Sequence, residues 1–233
     1  MLPDFAEGAM LLIDKPYKWT SFDVVGKLRN AIRVKKVGHA GTLDPLATGL
    51  LIICTGKFTK QIQDLQGLDK EYTGTFMLGA TTPSYDLETE VNAVFPVDHI
   101  SDELIAEAVK KLTGKLDQQP PLHSAKYVNG ERAYHLARRG EQVELKTNEV
   151  EVKEFEITHR TGNELGFRVL CSKGTYIRSL ANDLGKLLNS GAYLSGLCRT
   201  RIGNFHLKDA WELKDLIEKI AENRSKRQSL DTE

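Results

Sequence analysis

Hydrophobic positions in this chain fall into short runs and helical stripes that can be assigned one element at a time. Residues 10–13 and 50–54 are apolar runs of strand length. Between them, Thr20 and Ser21 offer N-caps for a helix that gathers Val24, Val25, Leu28 and Ile32 on one side. Residues 72–78 read as a third strand. Ser101 caps an amphipathic helix with Leu104, Ile105, Ala108, Val109 and Leu112 facing inward, and Gly114 stops it. Residues 131–139 predict a short helix closed by Gly140. Val150 and Val152, then Phe155 and Ile157, alternate with charged residues, as in a strand with one wet face. The change of phase between those pairs predicts a bulge. A strand over 167–171 follows, then a helix over 175–188 that buries Ile177, Leu180, Ala181, Leu184 and Leu188. A last helix is marked by Leu213, Leu216, Ile217 and Ile220. Strands and helices do not alternate strictly, so the expected fold class is α+β, with a mixed, largely antiparallel central sheet flanked by helices and loops. One domain over residues 1–224 and a polar, disordered tail over 225–233 are expected.

Composition narrows the class. The chain has 233 residues, of which 40% are hydrophobic and 27% charged, enough for a substantial core. No apolar run approaches the roughly 18 residues of a membrane span, and the opening residues do not read as a signal peptide. The three cysteines, Cys54, Cys171 and Cys198, lie far apart inside apolar runs and read as buried thiols of a reducing compartment, the cytoplasm. No Cys/His cluster has zinc spacing, so no metal is expected. Net charge is zero, but the charges are segregated. Residues 1–60 carry nine Lys/Arg against five Asp/Glu, 126–139 four against one, and 168–201 six against one. Folded together, these blocks would make a cationic face of the kind a phosphate backbone attracts; kept apart, they are ordinary solvated surfaces.

Three segments have unusual composition. In "KVGHAGTLDPLATGLLIICTGK", His39 and Asp44 sit among glycines and threonines. Asp before Pro is a common turn starter, yet Gly38, Gly41 and Gly49 suggest a backbone that bends tightly or lies close to something. "CSKGTYIRSLANDLG" places Tyr176 and Arg178 at the start of a helix just after a strand, where they can enter a cleft or remain on the surface. "QQPPLHSAKYVNGERAYHLARRGE" mixes Tyr127, Tyr134 and His135 with Lys126, Arg132, Arg138 and Arg139. Aromatics interleaved with cations suit unstacked bases and phosphates, and equally a helix with a solvated basic face. A phosphate loop is excluded around 49–57, where Leu51 and Phe58 replace required residues, and no hydrolase, zinc-protease or dinucleotide fingerprint is present.

"GHAGTLDPLATGLL", "KEYTGTFMLG", "PPLHSAKYVNGERAYHLAR" and "CSKGTYIRSLANDLG" follow the order and approximate spacing of the TruB family of tRNA pseudouridine synthases, which the chain resembles from "LLIDKPYKWTSFDVV" to "LCRTRIGNF". The resemblance implies the pseudouridine synthase fold and an enzyme that isomerises a uridine of the tRNA T loop, position 55, to pseudouridine. It implies no cofactor and no metal, tRNA through its T arm as partner, no membrane association, and a cytoplasmic monomer. It makes Asp44 the catalytic aspartate and His39 the residue that fills the space left by the flipped-out nucleotide. Tyr72 becomes the tyrosine stacked on the target uracil, Tyr176 and Leu197 the lining of the base pocket, and Arg178 the arginine paired with the aspartate. A base inside a structured loop must be extruded before chemistry can reach it. One carboxylate then suffices, because the uracil leaves, turns and re-bonds through carbon 5. Whether that carboxylate attacks the sugar carbon or takes the 2′ proton stays open.

Three departures from the family pattern stand out. Lys18 replaces a usual glycine, Lys126 and Tyr127 stand where an apolar residue and then a lysine are usual, and no C-terminal PUA domain is expected. A non-catalytic RNA-binding or tRNA-folding protein would share the basic blocks but would not need Asp44 or Arg178. A glycoside or nucleoside hydrolase would need a second carboxylate and a route for water.

Overall fold

Residues 50–54 are apolar without interruption because both faces of their strand are covered. The computed structural model describes residues 2–230 apart from 125, 129, 134–135, 137–138 and 140–144, and the chain closes into two units. The first holds residues up to Lys70 together with those from Cys198 onward; the second runs from Glu71 to Leu197.

In the first unit, β1 (Met10–Lys15), β2 (Val37–His39) and β3 (Thr48–Thr55) are joined by α1 (Ser21–Ile32). β1 and β2 each pair antiparallel with β3. Leu51 and Ile53 of β3 pack with Leu11, Ile13, Val24, Val25 and Leu28, while Leu50, Ile52 and Cys54 pack on the opposite face with Ala40, Leu65 and Ile202. α1 starts where expected. Thr20 accepts from the Asp23 amide and the Asp23 carboxylate accepts from the Thr20 amide, a reciprocal cap worth about 1 kcal/mol. A short α2 (Ile62–Gly67), not anticipated, precedes the crossing into the second unit.

The second unit contains β4 (Lys70–Leu78), the hairpin β5 (Ala80–Thr81) and β6 (Ala93–Val94), α3 (Asp102–Lys111), β7 (Gly114–Gln118), the hairpin β8 (Tyr127–Val128) and β9 (Glu131–Arg132), β10 (Asn148–Thr161), β11 (Glu164–Cys171) and α4 (Ile177–Leu187). Within it, β12 (Ala192–Ile202) leads the strand order β12-β4-β11-β10-β7. The expected bulge is present as a register shift between Val152 and Glu154. The core is aromatic: Phe76 stacks on Phe167 at 4.0 Å and meets Phe155 edge-on at 6.1 Å. From Cys198 onward β12 belongs to the first unit, pairing parallel with β3, and β13 (Phe205–His206), β14 (Trp211–Glu212) and α5 (Leu213–Leu230) follow. The fold is thus the expected α+β class with mixed pairing.

Four expectations change. The chain forms two units, and it crosses between them inside β4 and β12, where no change of composition marks a boundary. Leu104 lies exposed, one position off the buried line of Ile105, Ala108 and Leu112. Glu131 and Arg132 are in a hairpin strand, turned by Gly130 at φ 86, where a helix was expected; Ala133 and Leu136 are helical, and the rest of that expected helix lies outside the described residues. α5 runs to Leu230, so residues 225–230 extend a helix instead of a disordered tail. Their Lys, Arg, Gln and Leu are good helix formers and no Gly or Pro stops them. Of the three thiols, Cys54 in β3 and Cys171 in β11 are almost fully buried, and burial pushes the Cys54 thiol up to about 11.

Gly49, at φ 101, lets β3 lie against β12: a Cβ there would stand 2.4 Å from the Arg199 carbonyl oxygen and 2.7 Å from its nitrogen. Both neighbours are backbone and cannot yield. Gly49→Ala is therefore expected to cost about 3 kcal/mol or more of stability, measured by urea unfolding.

Candidate active site

Asp44 sits half-buried in the loop between β2 and β3, whose backbone is tied down at several points. On one side Ser21, the first residue of α1, uses its hydroxyl twice: it accepts from the Leu43 amide at 3.0 Å and donates to the Leu43 carbonyl at 3.3 Å. On the other side lies Lys15, the last residue of β1 and fully buried. Its three ammonium hydrogens go to three carbonyls, those of Trp19 at 2.6 Å, Pro16 at 3.0 Å and Pro45 at 3.3 Å. Burial lowers Lys15 from 10.5 to about 8; the Asp44 charge pushes it back up, and Arg199 presses it down. Lys15 thus joins the residue after Asp44 to the turn at 16–19. That turn closes through the Trp19 amide and the Pro16 carbonyl, with Lys18 at φ 65. This is where a type II turn asks for glycine, and it explains the family's usual residue. The lysine here keeps the turn.

The loop's two ends are joined by Arg199, only 1% exposed, which donates from Nε to the Leu50 carbonyl at 2.7 Å and from Nη2 to the Gly41 carbonyl at 3.2 Å. His39 enters from β2 with its ring edge-on to Phe22 at 5.3 Å. Burial lowers its pKa, the Gly41 carbonyl draws it up, and Arg199 lowers it again, so the imidazole is neutral at pH 7.

The other four expected site residues belong to the second unit. Tyr72 is buried in β4, and Leu197 lies half-buried in β12. Tyr176 is the N-cap residue of α4, and its backbone is gripped by Gln118, which accepts from the Tyr176 amide at 2.7 Å and donates to its carbonyl at 3.1 Å. Ser179 adds a bond to the Gln119 carbonyl at 2.7 Å. The glutamines of "QQPP" therefore set the start of α4. Arg178, in its first turn, is buried with its Nε 3.6 Å from the Asp86 carboxylate and its Nη1 donating to the Ser84 carbonyl at 3.3 Å. Within the first unit the structure brings His39 and Asp44 together with Lys15 and Arg199; within the second it joins Arg178 to Asp86. Lys15, Asp86 and Arg199 were not singled out from sequence. A buried charge leaves no compositional trace.

The charge blocks need the same correction. Of the six cations in 168–201, Arg199 and Arg178 are internal, and Arg168 is divided among Glu154 at 2.6 Å, Glu71 at 3.3 Å and Glu156 at 3.3 Å. Lys126 is bound to Asn148 at 2.5 Å and Arg139 to Glu131 at 2.5 Å; Tyr134, His135 and Arg138 lie outside the described residues. The basic surface is clearest in the first unit, where Arg33, Lys35, Lys36 and Lys60, with Lys57 paired to Glu7 at 2.6 Å, line a cleft of about 450 Å³. Among the described residues, no group of three or more His, Cys, Asp or Glu side chains is placed to hold a metal ion.

Known proteins align with this arrangement. Residues 29–177 match the family model described as TruB family pseudouridylate synthase (N terminal domain), and residues 178–232 match tRNA pseudouridylate synthase B C-terminal domain. The chain is 55% identical over 217 residues to a tRNA pseudouridine synthase B of Flavobacterium johnsoniae, covering 90% of this chain and 95% of that one. It is 53% identical over 221 residues to the Phocaeicola vulgatus protein of the same name, covering 92% and 94%. Among solved structures it is similar to a Cbf5-Nop10-Gar1 complex (TM-score 0.72, 29% identity, 93% of this chain and 56% of that one). It is also similar to an H/ACA RNP bound to a substrate RNA containing 2′-deoxyuridine (TM-score 0.69, 26% identity, 92% and 54%). The chain spans a little over half the length of those solved chains.

The position of Lys15 makes a measurable claim. Its charge, present below about pH 8, is lost above it. An NMR titration with labelled lysine is expected to show one amine titrating near 8. In Asp44→Asn that amine is expected to titrate lower still, because the attraction that raised it has gone.

Proposed function

Because the chain belongs to the TruB family of pseudouridylate synthases, and so isomerises uridine to pseudouridine in tRNA, we propose that its target is the T-loop uridine at position 55, with Asp44 as the group that carries the chemistry. The observation that supports this most is the loop itself. A half-exposed carboxylate rides on a backbone fixed by Ser21, Lys15 and Arg199, so its oxygens approach a substrate without rearrangement. In this reading Tyr72, Tyr176 and Leu197 hold the extruded uracil, and His39, neutral and flat, takes the place the nucleotide left. Arg178 is the family's arginine partner of the chemistry, oriented by Asp86.

The reaction balances without an outside reagent. The bond from the sugar carbon to uracil nitrogen 1 breaks, the base turns, carbon 5 bonds to the sugar carbon, and the proton of carbon 5 goes to solvent while nitrogen 1 gains one. No electron is gained or lost, so no cofactor is required by the chemistry. We assign the protein to the cytoplasm as a monomer; among the described residues no helix is long and apolar enough to cross a membrane.

Three experiments test the reading. With tRNA carrying tritium at uridine carbon 5, Asp44→Asn is expected to bind tRNA as the native enzyme does while releasing tritium at least a hundredfold more slowly. A tRNA with cytidine at position 55 is expected to yield no pseudouridine; conversion elsewhere in that tRNA would overturn the T-loop assignment.

The third concerns the lysines of the first unit's cleft. Lys35→Ala with Lys36→Ala is expected to weaken tRNA binding and to make log affinity against log salt shallower by up to about two units, one for each phosphate no longer neutralised. An unchanged slope would exclude this cleft from the RNA path.

A further inference from the structure

The arginine of the second unit is held by a loop rich in committed polar groups. Residues 82–89 supply two partners of Arg178, the Ser84 carbonyl and the Asp86 carboxylate, from positions two apart. Tyr85, between them, has φ 63, a left-handed backbone unusual for an aromatic residue, and this turns both groups toward one guanidinium. Its amide is tied to the Thr82 carbonyl at 3.1 Å, and its carbonyl accepts from Leu194 at 2.9 Å.

What keeps that shape is a closed set of hydrogen bonds. The Ser84 amide donates to the Thr89 hydroxyl at 3.0 Å, the Thr89 amide donates to the Ser84 hydroxyl at 3.2 Å, and the two hydroxyl oxygens lie 2.8 Å apart. The Asp86 carbonyl accepts from the Thr82 hydroxyl at 2.6 Å and the Ser84 hydroxyl at 3.2 Å. Only one proton assignment satisfies every one of these bonds: the Thr89 hydroxyl donates to Ser84, and the Ser84 hydroxyl donates to the Asp86 carbonyl. The Glu88 amide takes Asp86 Oδ1 at 3.0 Å, which leaves Oδ2 as the oxygen facing Arg178. Ser84 is sealed from water and Thr82 nearly so, so a missing partner here cannot be replaced by solvent. The Tyr85 ring is half-buried beside Asp183 of α4, the helix that also carries Arg178.

We propose that this loop is a positioning device for Arg178, and that Thr89, outside the quoted motifs of the site, is a positioning residue for the isomerisation. This rests on the reading of Arg178 as part of the reaction. Thr89 touches no reacting atom; it fixes Ser84, which with Asp86 fixes the guanidinium.

The test compares steady-state kinetics on tRNA. Thr89→Val keeps the shape and removes the hydroxyl, stranding the Ser84 amide. Turnover is expected to fall roughly tenfold or more with KM unchanged, since the guanidinium is displaced and the tRNA-binding surface is not. Thr89→Ser, which retains the hydroxyl, is expected to restore turnover. In an Arg178→Lys background, Thr89→Val is expected to add no further loss, because the group it positions has already gone. Should Thr89→Val fail to fold, Thr82→Val removes one bond to the Asp86 carbonyl and is expected to lower turnover in the same pattern. Native turnover in folded Thr89→Val, or losses that simply multiply in the double variant, would overturn the proposal. If Arg178→Lys alone turned over normally, the reading of Arg178 itself would fail, which is a distinguishable result.

Discussion

Two cations closed off from water hold the backbone around Asp44. A buried ammonium or guanidinium is tolerable only while its donors are filled, since stripping water from a charge costs several kcal/mol. Lys15 fills all three donors with carbonyls, and Arg199 bridges the carbonyls of Gly41 and Leu50. The loop can therefore not drift without stranding a charge. The placement of this loop follows from the cost of leaving Lys15 or Arg199 unsatisfied. The glycines of the motif fit the same constraint. Gly49 admits the backbone of β12, which delivers Arg199 beneath the loop.

The second unit obeys a related rule with different parts. β4 and β12 approach so closely that a Cβ at Gly74 would lie 2.1 Å from the Gly196 carbonyl oxygen. That approach brings Thr75 and Ser195 within 2.8 Å of each other and sets Tyr72 and Leu197 on neighbouring strands. Stacked phenylalanines fill the space beneath, so the strands that carry Tyr72 and Leu197 are backed by aromatic rings with no polar group to satisfy.

Periodicity made the strands, the caps and the bulge legible, because each depends on local chemistry: Thr20 with Asp23, Ser101 with the Leu104 amide, and the phase change at Val152. Asp44 and Arg178 were legible through motif resemblance. Lys15, Arg199 and Asp86 were not, because a lysine or aspartate that the fold will bury looks in sequence like one that will be hydrated. The hairpin at 127–132 was overlooked for a further reason. Its Asn-Gly step is a strong turn signal, but the residues after it have helical propensity and drew Glu131 and Arg132 into the expected helix. The division into two units had no local signature at all.

The placement of the thiols has a kinetic consequence. Cys54 lies in the central strand of the first unit and Cys171 in a strand of the second, each almost without contact with water. A thiol reagent can reach either one only after its own unit has opened. Under slow labelling, the modification rate at each site reports the free energy of that opening; under fast labelling it reports the opening rate. The native sequence thus carries one internal clock in each unit, so the order in which the two come apart can be read from mass spectra of a single sample, without introducing a probe.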